Sequence, residues 1–524
     1  MKSRLVRATA AVFILALVVG TAGCGGAKLT KPSVAVYTST NQVVVFWDPS
    51  DSFSNEIIVL NNIYETLLRY DYKQKKTVPL LATGYQVSPD GLTWTFDLHK
   101  GVKFHTGNEM TADAVKYSFE RCIKRGKGAS FIWTPVKEIK VLNPYKLEID
   151  LKFAAPLDLI VASGYGAHIF DPEVIKDNGE DWFEKGHEAG TGPYTLDSFK
   201  GKEEAILKKF DGYWGGWQGK HFDQLVFQQV SEASTKAQML QSGQSDFVDQ
   251  LPFEQIDQLK NDPNVTINVS PSYQSLFGLL NTKKAPLDNP LVRQAISYAM
   301  PYDEIVKGVM KGYATQSRGA VPNGLWGHDD NLFQYSYNLD KAKELLTKAG
   351  YPNGGLKLVL TYASGDEFER RIAELMKASF AKLNINLETR QMVWEPQWDL
   401  AKATDPKQRQ DIFLFYWWPT YADPYDFLVN MFHTEDSINF NLSYYYNKEL
   451  DRLVDEAHSL SGSDRAKAIQ QYSQAQKLLI DDAASLFIYD QRYVRAIRSN
   501  LKGYTDNPAY PHVVFFYNTY REGK

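Results

Sequence analysis

The side chains best equipped for chemistry in this chain are aromatic. Trp417 and Trp418 stand side by side, with Thr420, Tyr421 and Asp423 directly after them. Trp394 precedes that group, and Phe46 and Trp47 lie near the start. Ring faces of this kind stack on sugars or cover the apolar side chains of a peptide. Rings also build cores, and 28 Phe, 31 Tyr and 11 Trp among 524 residues leave both uses open. Covalent chemistry has less to work with. There is no Walker-type loop, no G-x-G-x-x-G, no H-E-x-x-H and no G-x-S-x-G. The nine histidines are scattered, and none pairs at metal-ligand spacing on a predicted helix. Carboxylate pairs such as Asp481-Asp482 and Glu203-Glu204 are too common among 62 acidic residues to nominate a hydrolase. No catalytic group, metal or cofactor is assigned, and an enzyme is not favoured.

The two cysteines differ in setting. Their number rules out a disulfide scaffold and a four-cysteine zinc site. Cys122 lies on the apolar face of a predicted helix and reads as a packed thiol. Cys24 follows a secretory pattern: Lys2, Arg4 and Arg7, an apolar run from Ala8 to Val19, then Gly20, Thr21, Ala22 and Gly23. That run of 12 residues falls short of the ~20 that a spanning helix needs. A cysteine after small residues resembles a bacterial lipobox, with Thr21 where Leu is usual. Residues 1–23 are then a signal peptide, Cys24 the lipidation site, and 24–31 a linker. The alternative is a plain secreted protein cut near Ala22. The expected location is extracytoplasmic, lipid-anchored to the cell membrane, and periplasmic in a cell with two membranes. The net charge of -4 argues against a nucleic-acid partner.

The elements that must position these residues alternate between strand and helix. Asn55–Leu68 has helical spacing behind Ser54. Leu92, Trp94, Phe96 and Leu98 alternate with polar residues as a half-buried strand, and Lys100-Gly101 turns into a second strand carrying Val102 and Phe104. Thr111 starts a helix with Val115, Phe119 and Cys122 on one face. Leu147–Phe153 and Tyr194–Phe199 read as strands. Asn289-Pro290 is a strong helix start. Further strands are expected at Leu356–Tyr362, Ile385–Met392 and Ile412–Trp417, with helical stripes through Ile372, Leu450 and Ala466. The class is mixed α and β.

The run from Trp94 to Phe119 closely resembles the signature of family 5 extracellular solute-binding proteins, the oligopeptide-, dipeptide- and nickel-binding components of ABC importers. Gly190–Tyr194, Pro286–Ile296, Asn338–Tyr351 and Tyr416–Leu428 are similar to later family motifs, in order. The resemblance implies a two-lobed periplasmic-binding-protein fold with an extra inserted domain. Lobe I would comprise 32–60, 187–270 and 491–524, the inserted domain II 61–186, and lobe III 271–490. Hinges would lie near Ser270-Pro271-Ser272 and Tyr489-Asp490-Gln491, closing around a ligand. The protein would be a monomer that delivers its solute to the permease subunits.

In peptide-binding relatives the stretch aligned with Trp417–Asp423 lines the cleft and pairs with the ligand as an added strand. The resemblance therefore nominates Trp417, Trp418, Thr420, Tyr421 and Asp423, with Trp394, Phe46 and Trp47 beside them. Two departures stand out. Thr420 occupies the position of the Asp that meets a peptide amino group. Ala363 or Ser364 occupies that of an Arg that holds a dipeptide carboxylate, while Arg370 and Arg371 come later, on a helix. An oligopeptide-like solute is the leading expectation. An oligosaccharide is the alternative, since both dipeptide charge clamps look absent.

Overall fold

The computed structural model describes residues 32–523. The signal peptide 1–23, the linker 24–31 and Cys24 lie outside the described residues. No helix among the described residues is long and apolar enough to cross a membrane.

Two sheets organise the chain. The larger has eleven strands. Its path runs through Asn386–Met392, Lys357–Ala363, Ile412–Trp417, Val265–Leu280 and Ser485–Arg498. It continues through Phe247–Val248, Val34–Ser39, Gln224–Gln229, Glu204–Lys209 and Tyr194–Lys200, with Ala314–Thr315 beside Ser485–Arg498. The smaller sheet is a four-stranded antiparallel one of Ala82–Val87, Thr93–Leu98, Lys146–Leu151 and Val136–Asn143. Trp94, Phe96 and Leu98 turn inward from it, as their alternation requires. Helix Ala112–Arg125 buries Val115, Phe119 and Cys122. Burial pushes the Cys122 thiol up to about 12, so it is a packed, protonated group.

The strands Val265–Leu280 and Ser485–Arg498 are unusually long, at 16 and 14 residues, and pair antiparallel along most of their length. At ~3.4 Å per residue the longer one spans about 50 Å. Their register slips between Pro271 and Ser275. There the Ser272 hydroxyl donates to the Gln491 carbonyl at 2.5 Å, and the Gln491 amide donates to Gln274 Oε1 at 2.8 Å. The buried Asp490 accepts from the Ser275 and Ser317 hydroxyls at 2.8 and 2.6 Å.

Two local expectations are corrected. The helix expected over Asn55–Leu68 spans only Ile57–Ile63, because Tyr64 is extended and Leu68–Asp71 pairs with Lys76–Pro79. Its cap is not Ser54: the Glu56 carboxylate accepts from the Phe53 and Ser54 backbone N–H groups, both at 2.6 Å. After Gly101 no second strand forms; a loop closes instead, with Phe104 N–H donating to the Asn108 carbonyl and Met110 N–H to that of Val102. The Asn289 start behaves as its sequence dictates, accepting from Leu291 N–H at 3.0 Å ahead of Pro290–Tyr298.

Candidate functional site

A continuous wall of rings begins on the strand Ile412–Trp417. Phe413, Phe415 and Trp417 share one face of it, two residues apart. Trp394 opens the helix Trp394–Ala401 and lies almost parallel to Phe415, with centroids 5.9 Å apart and planes at 7°. It also stacks on Trp398 at 5.5 Å. Trp398 reaches Phe440 at 5.6 Å, and Phe440 touches Trp417 at 5.3 Å and Phe53 at 5.1 Å. Phe53 then meets Tyr165 at 5.9 Å and Phe131 at 6.1 Å. The wall therefore joins residues 394–440 to residues 53–165.

Two hydrogen bonds fasten the same seam. The Trp418 indole N–H donates to the Tyr165 hydroxyl at 3.2 Å. The Ser163 hydroxyl donates to the Thr420 carbonyl at 2.7 Å. Burial raises the Tyr165 phenol well above its ordinary range.

The strand Ile412–Trp417 also has an open edge. Residues 412–417 all pair with 275–280 on one side. On the other side Lys357–Ala363 reaches only Ile412 and Phe413. From Leu414 to Trp417 that edge has no strand neighbour among the described residues.

The nominated residues divide between this seam and other places. Trp417 is buried in the wall and donates from its indole N–H to Asp426 at 3.0 Å. Trp418 and Thr420 are held by the seam bonds just given, and Tyr421 is buried beside them. Trp394 is 47% exposed, so one side of its ring is open. Asp423 caps the helix Pro424–Phe432, accepting from Tyr425 N–H at 2.8 Å. Its other oxygen has no hydrogen-bond partner among the described residues, and burial pushes the carboxyl up to about 7. Phe46 and Trp47 are not brought to the wall. Trp47 packs on Phe199 at 4.6 Å in a separate core and donates to the His187 carbonyl at 2.7 Å. Phe46 is exposed, its N–H directed at Glu56. Arg370 and Arg371 pair with Glu367, Glu374 and Glu254 on a helix surface.

Phe53, Tyr165, Ser163, Trp398, Phe415 and Phe440 join the site without having been singled out. Phe415 follows from the two-residue period of its strand. Phe53 and Tyr165 carry no local signal, because only tertiary folding brings them to residue 440. Lys402 is a further neighbour: its ammonium lies 4.6 Å from the centre of Trp398, and it forms no ion pair among the described residues.

The carboxylates of Asp48, Asp51 and Glu184 converge as metal ligands could. They already face Arg121, 2.7 Å from Asp48, and Arg125, which pairs with Asp51 and lies 3.2 Å from Glu184. Positive charge thus holds that place, and the pair Arg121–Asp48 is buried.

Comparison with known proteins extends the picture. The model of bacterial extracellular solute-binding proteins, family 5, matches residues 76–439. The chain is 31% identical over 434 residues to the probable D,D-dipeptide-binding periplasmic protein DdpA of Escherichia coli K12, covering 82% of each. It is 28% identical over 484 residues to the glutathione-binding protein GsiB of Pectobacterium atrosepticum, covering 90% of this chain and 91% of that one. The periplasmic binding protein DppA of Helicobacter pylori, solved with the peptide STSA, superposes with a TM-score of 0.81 at 26% identity. That match covers 94% of this chain and 98% of the other.

Proposed function

Because the chain belongs to the family 5 bacterial extracellular solute-binding proteins, we propose that it captures a short peptide between its lobes and delivers it to an ABC permease. The observation that carries the peptide reading is the open strand edge at Leu414–Trp417, flanked by the ring wall. A peptide can add to such an edge through main-chain hydrogen bonds, which serve any sequence. The rings beside it would cover apolar side chains. An oligosaccharide would use the rings and leave the edge unpaired.

We assign lobe I to 32–60, 187–270 and 491–524, domain II to 61–186, and lobe III to 271–490. The register slip at Pro271–Ser275, opposite Asp490–Arg492, supports a hinge there, since a bulge is where paired strands bend. The contacts of 163–165 with 418–420 would belong to the closed state, in which the solute is buried. The cycle is binding and release, with no bond made or broken, and the receptor acts as a monomer. Lipidation of Cys24 would keep it beside its permease, outside the membrane.

Thermal-shift screening of pooled peptides and pooled oligosaccharides tests the reading. A solute at ~100 times its Kd adds about 2.7 kcal/mol to stability. Peptides should raise the melting temperature; a response to saccharides alone would defeat the peptide assignment.

A further inference from the structure

The strand Ser485–Arg498 carries a buried cation whose hydrogen bonds are largely unmade. Tyr493 and Arg495 lie on the same face of it, opposite Ser270 and Asn268. Both are only 2% exposed. The carboxylate nearest Arg495 is Asp506, and other donors already occupy it. Asn268 donates to Asp506 at 2.9 Å and Ser270 at 2.5 Å, while the Tyr504 hydroxyl takes its other oxygen. Arg495 Nε stands 3.6 Å from Asp506, too far for a hydrogen bond. Nη1 donates to His512 Nδ1 at 3.0 Å, an assignment that requires a neutral imidazole. Burial and the guanidinium itself hold His512 well below its ordinary range, which agrees with that state.

Arg495 Nη2 and Nε and the Tyr493 hydroxyl have no hydrogen-bond partner among the described residues. The guanidinium carbon lies 4.0 Å from the centre of the Tyr493 ring, so these donors belong to one place. A guanidinium has five N–H donors and no acceptor, and burying them unmade is costly. Tyr493 pairs with Ser270, directly beside the register slip between Pro271 and Ser275. The free donors thus border the proposed hinge between the lobes.

We propose that Arg495 and Tyr493 form the receiving site for a carboxylate of the solute, with Nη2 and the phenol each donating to it. This rests on the peptide-capture reading and supplies an anion clamp at a place different from the one that Ala363 and Ser364 leave empty of charge. A carboxylate fits because it only accepts, and its two oxygens suit a guanidinium fork and a hydroxyl together.

The test compares pools of tri- to pentapeptides lacking Asp and Glu, as free acids and as C-terminal amides, titrated against wild type, Tyr493→Phe and Arg495→Gln. Wild type should prefer the acids at least about tenfold, as expected for hydrogen bonds to a charged group. Each variant should reduce that preference to below about threefold. A third pool, amidated but carrying one Asp or Glu, separates a side-chain carboxylate from a terminal one; preference for either source over plain amides supports the site. Equal affinity of wild type for all three pools overturns it, as does a variant that keeps the full preference. If no pool binds, the peptide reading itself fails and the clamp falls with it. Should Arg495→Gln not fold, Tyr493→Phe retains the charge pair with Asp506 and decides alone.

Discussion

Asp423 and Asp426 stand three residues apart at the start of one helix, and burial pushes both carboxyls up to about 7. An unfolded chain releases such protons near pH 4. Between there and pH 7 the folded protein binds more protons than the unfolded one, so stability falls as pH rises, and the loss is complete above 7. Asp426→Asn removes one titrating group and keeps an oxygen for the Trp417 indole. We predict that it flattens the dependence of Tm on pH between 5 and 8 and raises Tm at pH 8. A slope equal to wild type would mean that Asp426 does not titrate in this range. The resemblance nominated Asp423 as a cleft residue, but nothing in the sequence showed the depth of its burial. That depth comes from residues such as Tyr472, 49 positions away, which donates to it at 3.4 Å.

At the level of elements, the ring wall depends on a few joints. Phe440 is the joint between the strand Ile412–Trp417 and Phe53, and it is buried. Phe440→Ala should cost about 3–5 kcal/mol, the range for truncating a buried phenylalanine. It should also weaken solute binding, because Trp398 and Trp417 lose their common neighbour. Chemical denaturation and peptide titration read the two effects; an unchanged midpoint would show that the wall repacks without it. Elements with strong local periodicity were readable directly. Ile412–Trp417 has the expected ends, and the helix Pro290–Tyr298 starts on the side chain of Asn289. The segment 55–68 was not, because the apolar spacing that suggests helix also serves a short helix followed by the Leu68–Asp71 hairpin.

On the scale of the molecule, the long strand pair makes a testable demand. If the register slip near Pro271 is the hinge, a peptide that raises Tm should also compact the protein. Small-angle scattering is expected to show a smaller radius of gyration on peptide addition; an unchanged radius would argue for a cleft that fills without closing. The two-lobed architecture was legible through ordered family motifs rather than through periodicity. The seam between Ser163 and Thr420 was not, since 257 residues separate its partners and no local rule couples them.

The topology also sets an order of assembly. The strand Val34–Ser39 lies between Gln224–Gln229 and Phe247–Val248, and the latter leans on Ala496 and Ile497. The Tyr37 hydroxyl donates to the carbonyl of His512, 475 residues further along. A chain emerging amino end first must therefore hold its opening strand unfinished until nearly all the rest has appeared. Meanwhile Ile412–Trp417 can already pair with Val265–Leu280. Synthesis order and completion order run opposite ways, and the earliest segment bears the longest exposure to wrong partners.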